Sequence, residues 1–423
     1  MKVSRIGVVI ILQSILLPWL AVLLLRYFGP ITHPSVDGFS FVFLALFLLP
    51  FVLLVPLVFW RNDESSLRKN KSNALNPLDE GWVFNFVLSL SVIYLFSVIL
   101  DKIILSNVLE TGVTEARYAA MADGPRGSLL GGVHYLLAGA PVVLACFLLS
   151  KARNEGKEAL IFGLWLFVIM CFASFFLSGG RNSFVVGTFF ILSYFVLERK
   201  RNIKIEGFSK GCKGVVRFPR WVKVLFVFGF VYGIYLFVER AEIRGLDLEG
   251  FVGALAENYN VDIEVPGWLG GAWLQIYYCL LFLVFYVSHS ITYLSPYFES
   301  GYSPLTMGGY SFPIFIKIYD GFLGTNYVSE VLDQLILSGV YLTFPGSVYV
   351  DFGLCGGIVS GGLLAALSLV YVSKALWCGG RHLLIAAYLL TLLLLSPVFS
   401  VLNVGNGFSI LMIILLIHLF KRS

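Results

Sequence analysis

The residues of this chain best suited to chemistry are arginines at the ends of apolar segments. Arg181 is the clearest case, because it follows Ser178-Gly179-Gly180 at a tight turn between two hydrophobic stretches. The glycines let the backbone turn sharply, and this places the guanidinium at the depth of lipid headgroups. A guanidinium fork matches phosphate oxygens, whereas a snorkelling anchor is the alternative interpretation. We predict that Arg181 binds an anionic group.

Four further arginines occupy comparable positions. Arg117 and Arg126 precede the fourth apolar segment, and Arg240 and Arg244 follow the seventh. A spacing of four places Arg240 and Arg244 on one face if the helix continues. Anion binding is predicted for all four, with ion pairing to neighbouring carboxylates as the alternative.

Candidate bases are fewer. His289 ranks first, because a neutral imidazole can accept a proton near physiological pH. Glu299 is its nearest carboxylate rival in sequence, and Asp351 opens the eighth apolar segment. An acid at that position also suits a helix N-terminus, which is the structural interpretation of Asp351.

Several common sites have no signature in this sequence. It contains no G-x-x-x-x-G-K-[ST], H-E-x-x-H or D-x-D motif, and its six cysteines form no C-x-x-C pair. We therefore expect neither a metal nor another cofactor. Nine Lys and Arg residues crowd 198–223, which predicts orientation and contact with anionic lipid rather than nucleic-acid binding.

Apolar segments of membrane-spanning length must position these residues. Hydrophobic residues form 58% of the 423 and charged residues only 13%, which excludes an ordinary soluble domain. The expected fold is a single all-α polytopic membrane domain over 1–423 with about ten transmembrane helices. The predicted spans are 6–27, 39–60, 82–100, 129–149, 159–178, 183–198, 222–238, 346–373, 383–400 and 408–420.

Charge is sorted between the loops on the two sides. If the N-terminus is inside, the inner loops, among them 61–81 and 198–223, hold 22 of 30 Lys and Arg but 8 of 25 Asp and Glu. The positive-inside rule then places both termini in the cytoplasm and the long 239–345 loop region in the periplasm. Residues 273–294 are apolar enough to span, but an even number of spans favours an interfacial helix that lies in or dips into the outer leaflet.

Four motifs between 170 and 365 resemble one family. They are Ser178-Gly179-Gly180-Arg181-Asn182, Tyr293-Leu294-Ser295-Pro296, Gly339-Val340-Tyr341-Leu342-Thr343 and Tyr349-Val350-Asp351-Phe352-Gly353. In this order they are similar to the motifs of the bacterial O-antigen and oligosaccharide repeat-unit polymerases, the Wzy type. The third motif departs from the family pattern, with Gly339 where asparagine is expected and Leu342 before the threonine.

The resemblance implies a metal-independent GT-C-like glycosyltransferase of the bacterial inner membrane. Its substrates would be oligosaccharides linked to undecaprenyl diphosphate, and its partners membrane lipids, a chain-length regulator and a flippase. Arg181, Arg244, Arg117, Arg240 and Arg126 would stabilise the diphosphate leaving group. Tyr293 and Tyr341 would contact the glycan.

Three other functions remain open. An O-antigen ligase would use the same donor with a lipid A-core acceptor. A metal-dependent lipid-phosphate sugar transferase would need acids in the first outer loop, where Asp37 stands alone. A flippase or transporter would place polar residues in several mid-membrane helices, a pattern not seen in the sequence.

Overall fold

A computed structural model gives the fold, and it is mostly helical. The structure describes residues 3–59, 81–101, 129–155, 181–206, 238–239, 247–300, 306–312, 324–325, 330, 335 and 342–419. Two short strands, β1 (Ile31–Thr32) and β2 (Asp262–Ile263), pair antiparallel. The helices in chain order are α1 (Arg5–Phe28), α2 (Gly38–Val52), α3 (Val55–Phe59), α4 (Gly81–Ile99), α5 (Leu129–Leu137), α6 (Ala140–Glu155), α7 (Arg181–Glu206), α8 (Leu248–Tyr259), α9 (Gly271–Ser288), α10 (Ser295–Glu299), α11 (Phe344–Cys378), α12 (Arg381–Leu395) and α13 (Gly405–Leu419).

Among the described residues, five helical segments are long and apolar enough to cross a membrane. They are Arg5–Phe28, Gly38–Phe59, Gly81–Ile99, Gly271–Glu299 and Phe344–Cys378. Their outward faces carry exposed apolar side chains at helical spacing. On α1 these are Leu17, Leu20 and Leu24, at 58%, 53% and 49% exposure. Exposure of such apolar stripes to water would be unfavourable. They are compatible with a membrane-embedded protein.

The helix α11 is two helices that meet at a sharp reversal. Gly353 has φ 69° and ψ −169°, which only glycine adopts readily, and it interrupts the helical backbone. Phe344 packs on Phe47, whereas a Cβ on Gly357 would lie 2.5 Å from the Phe43 ring and 3.6 Å from the Pro345 carbonyl oxygen. The segment 344–352 therefore folds back against the start of 354–378.

Small residues bring α11 and α2 into close contact. Added Cβ atoms on Gly357 and Gly361 would meet the Phe43 ring and, at 2.3 Å, the Phe47 carbonyl oxygen. This Gly-x-x-x-Gly spacing lets two apolar helices approach at backbone distance. The contact holds α2 beside the reversal.

Two ends of the helical bundle can be defined by α1. At its beginning, the Ser4 amide donates to Ser373 Oγ at 3.3 Å, which joins α1 to the later part of α11. We call this the Ser4 end. At its other end, Arg26 contacts the segment that follows α9, and we call this the Arg26 end.

The segment 271–299 qualifies as a span by length and composition, yet its contacts lie at the Arg26 end. Tyr277 donates to the Glu264 carbonyl, and the Glu264 amide donates to the Pro30 carbonyl beyond α1. Further along, Ser295 Oγ accepts from the Asp37 amide at the start of α2. Both flanks of this segment therefore contact the connection between α1 and α2.

The predicted spans differ from the helices mainly at breaks. The 129–149 segment is divided between α5 and α6, because Gly139 lies against the backbone of Ile410 and its amide donates to Ser409 Oγ. The 383–400 segment stops being helical after Leu395, just before Pro397. The segment 159–178 lies outside the described residues, as does the segment 222–238 except for its last residue, Val238.

Candidate functional site

Three stretches of backbone that do not continue a helix meet at the Arg26 end. They are the 3-10 turn His289–Leu294, the residues 342–343 that precede α11, and the connection 396–404 between α12 and α13. The Phe344 amide donates to the Ser396 carbonyl at 2.8 Å, and Ser290 Oγ donates to the Pro397 carbonyl at 2.6 Å. Non-helical backbone at membrane depth is stable only where protein or a polar cavity satisfies it. Such a junction can present polar groups to a ligand.

A buried arginine lies beside this junction. Arg26 is 6% exposed, and its guanidinium donates from Nη1 to Thr292 Oγ1 and from Nη2 to the Pro34 carbonyl. Its Nε is buried without a hydrogen-bond partner. Within the described residues no carboxylate contacts it. Within the described part of the chain, a positive charge is therefore held at the Arg26 end by neutral groups.

A stack of rings lies next to Arg26. His33 stacks on Phe285 at 6.2 Å between centroids, and Phe285 stacks on His289 at 4.9 Å. Tyr293 closes the stack edge-on to His289 at 5.3 Å. The two imidazoles are therefore held in fixed orientations on either side of one phenyl ring.

His33 is held as a neutral ring. Its Nε2 lies 2.7 Å from Ser288 Oγ, and that hydroxyl donates to the Val284 carbonyl. The hydroxyl must therefore accept from Nε2–H, which leaves Nδ1 as the acceptor of the ring. Burial first, and then the charges of Arg26 and His289, lower the pKa of His33 to about 4.

Two of the predicted bases differ in environment. His289 is 3% exposed and its Nδ1 lies 2.8 Å from the Phe285 carbonyl, which assigns the proton of the neutral ring to Nδ1 and leaves Nε2 to accept. Glu299 is exposed at the end of α10. The assignment of His289 as the base stays a prediction, and Glu299 stays its rival.

Asp351 is fully buried and holds a turn. Its carboxylate accepts from Thr306 Oγ1, from the Tyr310 amide at 2.8 Å and from the Ser311 amide at 2.9 Å. The Asp351 carbonyl, freed by the reversal at Gly353, accepts from the Met307 amide at 3.0 Å. This is the geometry of an anchor between 306–312 and α11. A role as base stays a prediction, and the same carboxylate would have to leave these donors to perform it.

The side chains of all five predicted diphosphate ligands lie outside the described part of the chain. Arg181 is the first residue of α7, but its side chain lies outside the described part of the chain. Arg117, Arg126, Arg240, Arg244 and Tyr341 also lie outside the described residues. Tyr293, the other predicted glycan contact, is 6% exposed and packs on Tyr259 at 5.8 Å and on His289.

Sequence reasoning did not single out Arg26 and His33 as site residues. Arg26 looks like an ordinary basic residue at the end of an apolar segment, and His33 lies in a short connection. Only the packing of residues 288–295 onto that connection brings them to a shared site. The available signal was the scarcity of basic residues assigned to the outer side.

Neither a metal site within the described residues nor a match to a known protein indicates what the chain does. Among the residues that the structure describes, no group of three or more His, Cys, Asp or Glu side chains could hold a metal ion. Comparison with protein-family models, curated proteins and solved structures finds no match. The resemblance to repeat-unit polymerases therefore rests on the sequence motifs alone.

Proposed function

We propose that this chain is a membrane glycosyltransferase that polymerises oligosaccharide repeat units linked to undecaprenyl diphosphate. It would act at the periplasmic face of the bacterial inner membrane, with both termini in the cytoplasm. The donor would be a growing glycan on its lipid carrier, and the acceptor a single repeat unit on the same carrier. A chain-length regulator and a flippase would be its partners.

One observation carries the proposal beyond the motifs. Among the described residues, the Arg26 end gathers a buried guanidinium without a contacting carboxylate, two oriented histidines and three breaks between α-helices. A lipid diphosphate leaving group is an anion that stays at headgroup depth, so positive charge there would stabilise its departure. A purely structural bundle has no need to hold such charge without a counter-ion.

In the proposed reaction the acceptor hydroxyl loses its proton to a base and its oxygen attacks the anomeric carbon of the donor. The bond from that carbon to the diphosphate oxygen breaks, and the lipid diphosphate leaves with the electron pair. His289 Nε2 is the first candidate for the proton acceptor, and Glu299 the second. Arg181, with Arg117, Arg126, Arg240 and Arg244, would hold the diphosphate.

Deletion of the gene in its native host tests the class of reaction. A polymerase deletion leaves surface glycans with one repeat unit, which the plasmid-borne gene extends again. A ligase deletion instead leaves polymer on the lipid carrier. A flippase deletion traps the repeat unit on the cytoplasmic side, and either of these two results would overturn the proposal.

The identity of the base is tested by a paired comparison in purified enzyme with lipid-linked repeat units. His289→Ala is expected to lose most turnover, and Glu299→Gln to keep most of it. The opposite result would assign the base to Glu299.

A further inference from the structure

Arg26 has a hydrogen-bond donor that the protein does not use. Two guanidinium nitrogens donate to Thr292 Oγ1 and to the Pro34 carbonyl, and they fix the plane of the group. The third, Nε, is buried and has no acceptor among the described residues. A buried charged donor without a partner is costly, so a residue kept in this state points to a ligand.

His33 offers a second nitrogen in the same condition. Its Nε2–H donates to Ser288 Oγ, and its Nδ1 is buried without a partner. His33 lies within electrostatic reach of Arg26, and Pro34, the next residue, accepts from Arg26 directly. The unused nitrogens therefore belong to two neighbouring side chains between the end of α1 and the 3-10 turn.

We infer that Arg26 and His33 form a binding site for a phosphate ester, in which Arg26 Nε–H donates to one phosphate oxygen and His33, protonated on binding, donates from Nδ1 to another. Two cationic donors match two oxygens of one phosphate group. The only covalent change is the N–H bond that forms when a proton from solvent adds to His33 Nδ1; the ligand itself is not altered. The inference deepens the proposed function and rests on it for the identity of the ester as a lipid diphosphate.

The charges around His33 explain why protonation needs the anion. Arg26 faces it from α1 and His289 faces it from the 3-10 turn, and both oppose a positive charge on the ring. The Asp37 carboxylate, on the same connection, accepts from the Ser40 amide. A phosphate group would bring the negative charge that these neighbours lack, so binding and proton uptake are coupled.

The site lies at a depth that suits a headgroup. Tyr27 and Phe28, which follow Arg26, are 58% and 83% exposed, and the Arg26 guanidinium lies 5.8 Å from the centroid of the Tyr27 ring. Exposed aromatic residues at the end of an apolar helix are typical of the interface between hydrocarbon and water. A phosphate ester approaching from this level would displace Tyr27 to reach the two buried nitrogens.

Calorimetric titration of the full-length protein in phosphatidylcholine nanodiscs tests the site. The probe is a farnesyl-diphosphate-linked sugar, a diester whose own oxygens do not titrate near neutral pH. Titrations in two buffers of different ionisation enthalpy count the protons taken up. The variants are Arg26→Gln, Arg26→Lys and His33→Gln. The matched control is Arg5→Gln, which removes an exposed arginine at the Ser4 end of the same helix.

The wild type is expected to bind the probe with net proton uptake. Arg26→Gln should weaken binding about tenfold or more, and Arg26→Lys should restore it only in part. His33→Gln should keep weaker binding and lose the proton uptake, while Arg5→Gln should match the wild type. Binding by His33→Gln with unchanged proton uptake would overturn the inference. Unchanged affinity in Arg26→Gln would also overturn it, and His33→Gln serves as the test if Arg26→Gln does not fold.

Two further arms identify the source of the phosphate. If inorganic pyrophosphate binds as tightly as the lipid-linked probe, the site takes the free anion. If phosphatidylglycerol in the nanodisc competes with the probe, the site takes an ordinary headgroup. Binding without any glycosyl transfer would keep this site and reject the proposed polymerase. Transfer with unaltered binding in both Arg26→Gln and His33→Gln would keep the polymerase and reject the site.

Discussion

Two arginines of this chain are equally buried, at 6% exposure, and lie at opposite ends of the bundle. Arg201, at the Ser4 end, shares a helix face with the buried Glu198 one turn earlier, and its guanidinium fits against Gly379. Arg26 has only neutral groups around it in the described part of the chain. A buried charge beside a carboxylate is compensated within the protein, whereas a buried charge without a carboxylate would be stabilised by a bound anion. From this comparison we infer a structural role for Arg201, and we propose that Arg26 binds a ligand.

The largest effect is expected in a test of topology, which decides on which side of the membrane each end of the bundle lies. Reporter fusions at Ser209 and Gly321 should report cytoplasm and periplasm respectively, because the basic loop 198–223 favours the inner side. Each fusion should be active with only one of a paired cytoplasmic and periplasmic reporter. The reverse pattern would place the Arg26 end in the cytoplasm and remove the periplasmic site.

Removing the Asp351 carboxylate should cause a large loss of stability. Asp351→Ala leaves the buried Tyr310 and Ser311 amides without acceptors, which should cost at least about 3 kcal/mol. Thr306→Val, which removes one hydroxyl donor to the same carboxylate, should cost about 1 kcal/mol. Unfolding in detergent measures both. If Asp351→Asn instead keeps full stability and loses all turnover, Asp351 is the base rather than an anchor.

Substitutions toward the two ends of α7 test the comparison between the Arg26 end and the Ser4 end by their effect on turnover. Arg181→Ala should raise the activation free energy of glycosyl transfer by about 1.5–3 kcal/mol, because a charge-assisted contact to the diphosphate is lost. Arg181→Lys should restore it only partly. Arg199→Ala, at the other, exposed end of this helix, is the control and should match the wild type. Normal polymer length in Arg181→Ala at normal protein levels would remove Arg181 from the site.

A glycine substitution tests the structural assignment of the Ser4 end. Gly379 has φ 67°, and an added Cβ would lie 2.1 Å from the Arg201 guanidinium carbon. Gly379→Ala should therefore cost about 1–3 kcal/mol of stability without changing turnover per folded molecule. Gly362→Ala on the same helix, where the added Cβ meets nothing within 4 Å, should be tolerated. Equal stability of the two variants would show that Arg201 does not depend on this fit.

The smallest effect is a pH dependence of stability at the Arg26 end. In the unfolded chain His33 gains a proton below pH 6.5, whereas in the folded protein its pKa is about 4. The unfolded state therefore binds more protons between these values, and stability should fall as pH drops from about 6.5 toward 4. Above pH 6.5 this contribution should be constant. The melting temperature of the wild type relative to that of His33→Gln should be constant above pH 6.5 and should fall as the pH drops through this window. A difference that stays constant across the window would contradict the buried neutral ring.

Hydropathy predicted the helices well where a span is uninterrupted. The predicted 6–27 and 82–100 correspond to Arg5–Phe28 and Gly81–Ile99. It failed at Gly139 and Gly353, because those breaks are set by contacts with Ile410 and by a backbone reversal rather than by apolar content.

The candidate site was less predictable for the same reason. Arg26 and His33 are close in sequence, but the partners that make them a site lie at Ser288 and Thr292. That pairing depends on how the segment 271–299 returns to the end of α1. A short-range pattern carries no information about such a contact, whereas scarce basic residues on one side already indicated where to look.

We propose that the Arg26 end binds a lipid diphosphate and supports glycosyl transfer. The most direct measurement is the length distribution of glycan made by the purified protein in proteoliposomes from lipid-linked repeat units alone. We expect the wild type to make a ladder of products that differ by whole repeat units, and Arg181→Ala to leave only single repeat units. Repeat units that stay unextended by the folded wild-type protein would contradict it.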